Sequence, residues 1–266
     1  MSPRVLVLLL DAAGAPACLE AVSGACRALP DPEILGLHVR CDPASAIMPS
    51  EEVLTTARRA ALEAEADRAQ AAIRAAWQVW SQGGVHATWR EEAGDPAAVV
   101  RAAGTFALIA MSLPGPDALP AQRAALDALL FTPDQPVLVV PAGWSGEFGR
   151  HLAVGWRDTE GTRRALVAAR PWLRAADRVT LLAVADDGPS WPEDALLGVE
   201  PGRLERRRIE PGGQDEADSL LAAVADAGAD GLVMGAYRRG RVMEWILGGV
   251  TQQCLCAATR PLLMVH

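Results

Sequence analysis
The chain has 266 residues, a formal net charge of −8 and an isoelectric point near 5.1. Half of its residues are apolar and 22% are charged, the makeup of a chain that buries a substantial core and not of a disordered one. The acidic balance argues against affinity drawn from neutralising nucleic-acid phosphates or anionic headgroups, so neither nucleic acid nor a membrane is an expected partner.

From the N-terminus, Val5 to Leu10 is a continuous apolar run, too short for the core of a secretory leader and suited to a buried strand. An Ala-rich helical stretch, Ala15 to Leu29, and a second strand, Ile34 to Val39, complete a βαβ unit. Glu51 to Gln82 carries apolar residues at helical spacing (Val53, Ala57, Ala61, Ile73, Trp77, Trp80) and predicts a long helix. Asp95 then opens a helix at Pro96 to Ala103, Phe106 to Met111 is a buried strand, and a Pro-initiated strand runs from Pro136 to Val140.

The same order returns downstream. His151 to Trp156 is a strand, Thr162 to Leu173 a helix and Val179 to Val184 a strand. Asp186 to Arg203, rich in Pro and Gly, predicts a loop or one short helix where the first copy has its long one. A helix over Ala217 to Ala227, a strand over Gly231 to Met234, a further helix and the strand Pro261 to Val265 close the repeat. Strands apolar on both faces, alternating with helices in two matched copies, predict two parallel sheets and not one enlarged sheet. Residues 1–141 and 150–266 are the expected domains, with Ala142 to Arg150 between them.

Gly231-Leu-Val-Met-Gly-Ala-Tyr237 runs out of a buried strand, and Leu247-Gly-Gly-Val-Thr251 starts a helix before the closing strand. This pattern resembles the universal stress protein signature, G-x2-G-x9-G-(S/T), with Gly235 and Gly248 at its first and third glycines. Arg238 stands at the second glycine and Gly249 at the Ser/Thr position, with Val250 and Thr251 following. The resemblance implies two tandem flavodoxin-like α/β domains of the adenine nucleotide alpha hydrolase type. Each would be an open parallel five-stranded sheet of order 3-2-1-4-5 with helices on both faces. It also implies fifth strands that pair with one another, so that Val137 to Val140 would meet Leu262 to Val265 in an internal pseudo-dimer; a homodimer of chains stays open.

The physical sense of the signature is anion binding. Glycines let the backbone approach a ligand, and N–H groups at a helix N-terminus favour phosphate oxygens. ATP is the ligand the resemblance implies, held at Gly235, Arg238, Gly248, Gly249, Val250 and Thr251. The family's acidic residue after its first strand aligns with Asp11 in the first copy and with Arg157 in the second, where Asp158 is one place displaced. In the first copy, Ser112 to Pro120 lacks the glycine spacing and loses N–H donors to Pro114 and Pro116, so that half is expected to be structural.

Other signals read blandly. Five cysteines without Cys-x-x-Cys spacing indicate neither a disulfide framework nor a zinc site and suit a reducing cytoplasm. Cys254 and Cys256, two apart on a helix, point to different faces, and no metal is expected. Ser145 lacks the nucleophile-elbow spacing, and His38, His86, His151 and His266 are not grouped. The expected function is a non-enzymatic stress-response or signalling protein that binds ATP or another anion in its C-terminal half. The alternatives are an interaction module with an unknown protein partner and no nucleotide, or a slow ATPase.

Overall fold
The computed structural model describes residues 2–41, 55–84, 86–132, 134–185, 190–210, 215–236 and 249–266. The first half runs β1 (Arg4–Leu8), α1 (Ala15–Cys26), β2 (Glu33–Arg40), α2 (Thr56–Ser81), β3 (Ala87–Ala93), α3 (Pro96–Ala102), β4 (Leu108–Ser112), α4 (Pro120–Leu130) and β5 (Val137–Val140). The second runs β6 (His151–Gly155), α5 (Glu160–Ala175), β7 (Arg178–Val184), α6 (Asp194–Leu197), β8 (Leu204–Ile209), α7 (Glu216–Asp226), β9 (Gly231–Gly235), α8 (Gly249–Ala257) and β10 (Leu262–Val265). The loop-or-short-helix reading of Asp186 to Arg203 is met among its described residues by α6 and a 3-10 turn at Pro201–Arg203.

The strands form one ten-stranded sheet in the order β3-β2-β1-β4-β5-β10-β9-β6-β7-β8. This corrects the expectation of two separate sheets. Each half is parallel within itself, and the halves join where β10 pairs antiparallel with β5, Leu263 opposite Leu138. The unpaired edge of each fifth strand is thereby satisfied by the other, as the resemblance implied.

Strand side chains alternate between two cores, as the pleat requires. Val5, Val7 and Leu9 belong to the core that includes α1, α2 and α5, whereas Leu6, Leu8 and Leu10 belong to the core that includes α3, α4, α7 and α8. Both cores run through both halves. The two outermost strands, β3 (Ala-Thr-Trp-Arg-Glu-Glu-Ala) and β8 (Leu-Glu-Arg-Arg-Arg-Ile), escaped the sequence reading because an edge strand buries little and carries charge, which also discourages edge-to-edge association. Charge on β3 is matched by α2: Glu91 accepts from Arg74 Nε at 2.8 Å, Gln70 Nε2 at 2.9 Å and Trp89 Nε1 at 2.9 Å.

The segment between the halves is anchored to the core by Trp144 and Phe148. Phe148 is fully buried, and its carbonyl lies so close to Gly24 of α1 that a Cβ there would overlap it. Its ring similarly occupies the space beside Gly231 at the start of β9. Arg27 Nη2 donates to the Phe148 carbonyl at 2.9 Å, and Trp172 Nε1 of α5 donates to the Ala25 carbonyl at 3.0 Å. Asp230 accepts from the backbone N–H groups of Gly149, Arg150 and His151 at 2.7, 2.8 and 2.7 Å. Three tryptophans serve the packing of the first half: Trp77 fills the space a side chain at Gly36 would need, and it stacks obliquely on Trp80 and Trp89.

Candidate functional site
In the second half the chain leaves β6 in one direction across the sheet, to β7 and β8, while β9 lies on the other side with β10 beyond it. The connections leaving the carboxyl ends of the paired strands β6 and β9 therefore run in opposite directions, and open α/β sheets hold their ligands in the crevice between them. Here it forms a cavity of about 530 Å³, within the usual range for a small-molecule site. Leu182 and Val184 of β7, Leu220 of α7 and Met234 of β9 make its apolar side. The first turns of α5 (Glu160, Gly161, Thr162) and α8 (Gly249, Val250, Thr251) border it with helix N-termini, where unpaired N–H groups favour negative charge.

Local sequence explains this geometry. Thr159 caps α5 by accepting from Thr162 N at 3.2 Å, and the two hydroxyls meet at 3.0 Å. Gly235 brings the end of β9 against that turn: a Cβ there would lie 3.4 Å from the Gly161 carbonyl carbon and 3.5 Å from Thr162 N. The first signature glycine thus packs against α5 as well as lining the cavity. A Cβ at Gly161, by contrast, would meet nothing within 4 Å. At the start of α7, Asp215 Oδ2 accepts from Gln253 Nε2 of α8 at 2.9 Å, which ties the two helices together.

Of the four charged residues that line the cavity among the described residues, Arg157, Glu160, Arg164 and Glu216, two form an ion pair with each other. Arg157, at the position aligned with the family's acid, forms an ion pair with Glu216 of α7. Asp158 pairs with Arg163 at 2.6 Å and is not among the lining residues. Arg164 reaches Asp134 of the first half only at 3.8 Å, and its Nε is buried without an acceptor among the described residues. Cys254 on α8 is buried, which pushes its thiol up to about 12. No group of three or more His, Cys, Asp or Glu able to hold a metal occurs among the described residues.

In the first half, protein groups meet across the equivalent crevice. Asp11 accepts from Ala13 N at 3.1 Å and Gly14 N at 2.8 Å, which orders the turn into α1. A Cβ on Gly14 would lie 2.5 Å from the Cβ of Ser112 at the end of β4. Gln122 of α4 spans the gap, donating to the Leu10 carbonyl at 2.6 Å while accepting from Leu119 N at 2.9 Å.

Residues 153–266 match the universal stress protein family. The C-terminal half is a universal stress protein domain. A universal stress protein from Archaeoglobus fulgidus DSM 4304 is similar over the whole length, with 18% identity, a TM-score of 0.66 and coverage of 98% of this chain and 97% of that one. A functionally unknown protein from Pseudomonas aeruginosa PAO1 superposes with a TM-score of 0.57 and 14% identity, covering 99% of this chain and 92% of that one. At these identities the likeness shows a shared fold, and it extends the fold of the universal stress protein domain to the N-terminal half. No curated protein sequence matches the chain.

Of the residues the sequence singled out, Gly235, Gly249, Val250 and Thr251 all line the cavity. Arg238 and Gly248 lie outside the described residues. Asp11 and Asp158 are engaged in their own turn and ion pair, away from the second-half cavity. The sequence reading missed Gly161, Arg164 and Glu216, whose approach to the crevice depends on how α5 and α7 are seated. No helix among the described residues is long and apolar enough to cross a membrane.

Proposed function
We propose that this chain is a stress-response protein whose C-terminal half binds ATP or a similar anionic ligand without catalysing its turnover, while the N-terminal half is structural. The carrying observation is the asymmetry of the two crevices. One is a cavity of about 530 Å³ bordered by two helix N-termini, whereas in the other Gly14 packs against Ser112 and Gln122 donates to the Leu10 carbonyl. A nucleotide would place its base against the apolar Leu182 and Val184 side and its phosphates toward the first turns of α5 and α8. A cytoplasmic location accompanies this reading, since the ligand and the free thiols both suit that compartment.

Isothermal titration with ATP tests it. Gly161→Glu introduces a carboxylate into the cavity at a site with room for it, at a helix position that favours acid, so the fold should persist. Heat from the wild type and none from this variant is the expected result. No heat from the wild type removes nucleotide binding, and phosphate release faster than that of the variant removes the non-enzymatic reading.

A further inference from the structure
Arg164 differs from its neighbours on α5. Arg163 holds Asp158 at 2.6 Å, and Arg157, in the loop before the helix, holds Glu216. Arg164 lines the cavity, yet its nearest carboxylate, Asp134, stands 3.8 Å away and is 74% exposed. Such a contact is loose and water-screened. Its Nε is buried without an acceptor among the described residues, a state that costs stability unless something else fills it.

Position adds to this. Leu182 and Val184 lie on β7, while Arg164 follows the first turn of α5, which meets Gly235 at the end of β9, and reaches toward Asp134 before β5. Strands β7, β6, β9 and β10 are successive neighbours, so Leu182 and Val184 stand about 10–14 Å from Arg164 at the ordinary strand spacing. An elongated ligand with an apolar ring at one end and anionic oxygens at the other fits that separation.

We propose that Arg164 binds the outermost phosphate of a nucleoside triphosphate, exchanging its loose contact with Asp134 of the other half for a forked hydrogen bond to phosphate oxygens. A guanidinium presents several donors in one plane, which suits this role. Because Asp134 precedes β5, occupancy of the C-terminal site would alter a contact between the two halves. The inference rests on the nucleotide reading and specifies which residue discriminates by phosphate number.

Calorimetric titrations with ATP and AMP of wild type, Arg164→Met and Asp134→Asn decide it. Loss of a charged, multidentate contact predicts ATP binding at least about tenfold weaker in Arg164→Met. AMP binding by that variant should stay within about twofold of wild type, which also shows that it is folded, because AMP lacks the phosphate concerned. Asp134→Asn should bind ATP about twofold more tightly, since only a screened competitor is removed. Wild-type protein that binds ATP, with Arg164→Met binding it equally well or losing AMP in the same proportion, overturns this inference alone. Wild-type protein that binds neither nucleotide overturns the underlying nucleotide reading along with it.

Discussion

Replacing Phe148 by alanine tests whether the segment between the two halves is part of a shared core. The side chain is fully buried, and its ring fills the space above Gly231 of β9 while its backbone rests on Gly24 of α1. Removing a buried phenylalanine costs about 3–5 kcal/mol, the lost transfer energy plus the cavity left behind. The upper part of that range applies here, because the wedge is held by neighbours that cannot readily collapse: Arg27 on its carbonyl and Asp230 on the next three N–H groups. For a chain of this size, such a loss lowers the melting temperature by on the order of 10 °C. Gly231→Ala alone should cost about 1–3 kcal/mol by overpacking the ring. In the Phe148→Ala background that methyl has room, so the two losses should fall short of additivity by at least about 1 kcal/mol. Urea unfolding of the four proteins, followed by circular dichroism, measures this cycle. A Phe148→Ala loss below about 1 kcal/mol, or strict additivity, would refute the wedge.

Glu91 should make stability pH-dependent. Its hydrogen bond from Arg74, helped by Trp89 and Gln70, lowers its pKa from 4.5 to about 2 despite opposing desolvation. A depressed carboxylate contributes stability above its unfolded pKa, and that contribution fades as pH falls from about 4.5 toward 2. Fully expressed, the shift is worth roughly 3 kcal/mol, which solvent screening at this partly exposed pair reduces to about 1 kcal/mol. Glu91→Gln should therefore be about 1 kcal/mol less stable than wild type at pH 7 and indistinguishable from it near pH 2, by chemical denaturation at each pH. A difference independent of pH would contradict the assignment. Thiol labelling should separate the cysteines: exposed Cys256 should react under native conditions, whereas Cys18 and Cys254, pushed up to about 12 by burial, should react only on unfolding. Mass spectrometry after a native iodoacetamide pulse reads the outcome, and early modification of Cys18 would show that the α1 core opens.

The sequence by itself determined the repeat, because strands buried on both faces must be apolar throughout, and Val5 to Leu10, Val137 to Val140 and Leu262 to Val265 are unmistakable in that respect. Through its resemblance to the universal stress protein signature it also pointed to Gly235 and Gly249 to Thr251, which line one cavity, and backbone that must approach a neighbour closely needs small residues there. Only the tertiary structure decided that the two sheets are one. Antiparallel pairing of β5 with β10 joins two short, wholly apolar strands, and an unbroken apolar run carries no mark of its partner's direction. Edge strands β3 and β8 were invisible for the opposite reason, as burial on one side leaves charged residues and no strong period. The fate of each crevice was likewise a matter of three dimensions. Gly14 meets Ser112 and Gln122 reaches Leu10 in the first, and Arg164 has no firm partner among the described residues in the second, through contacts among residues distant in the chain whose energy no local pattern records.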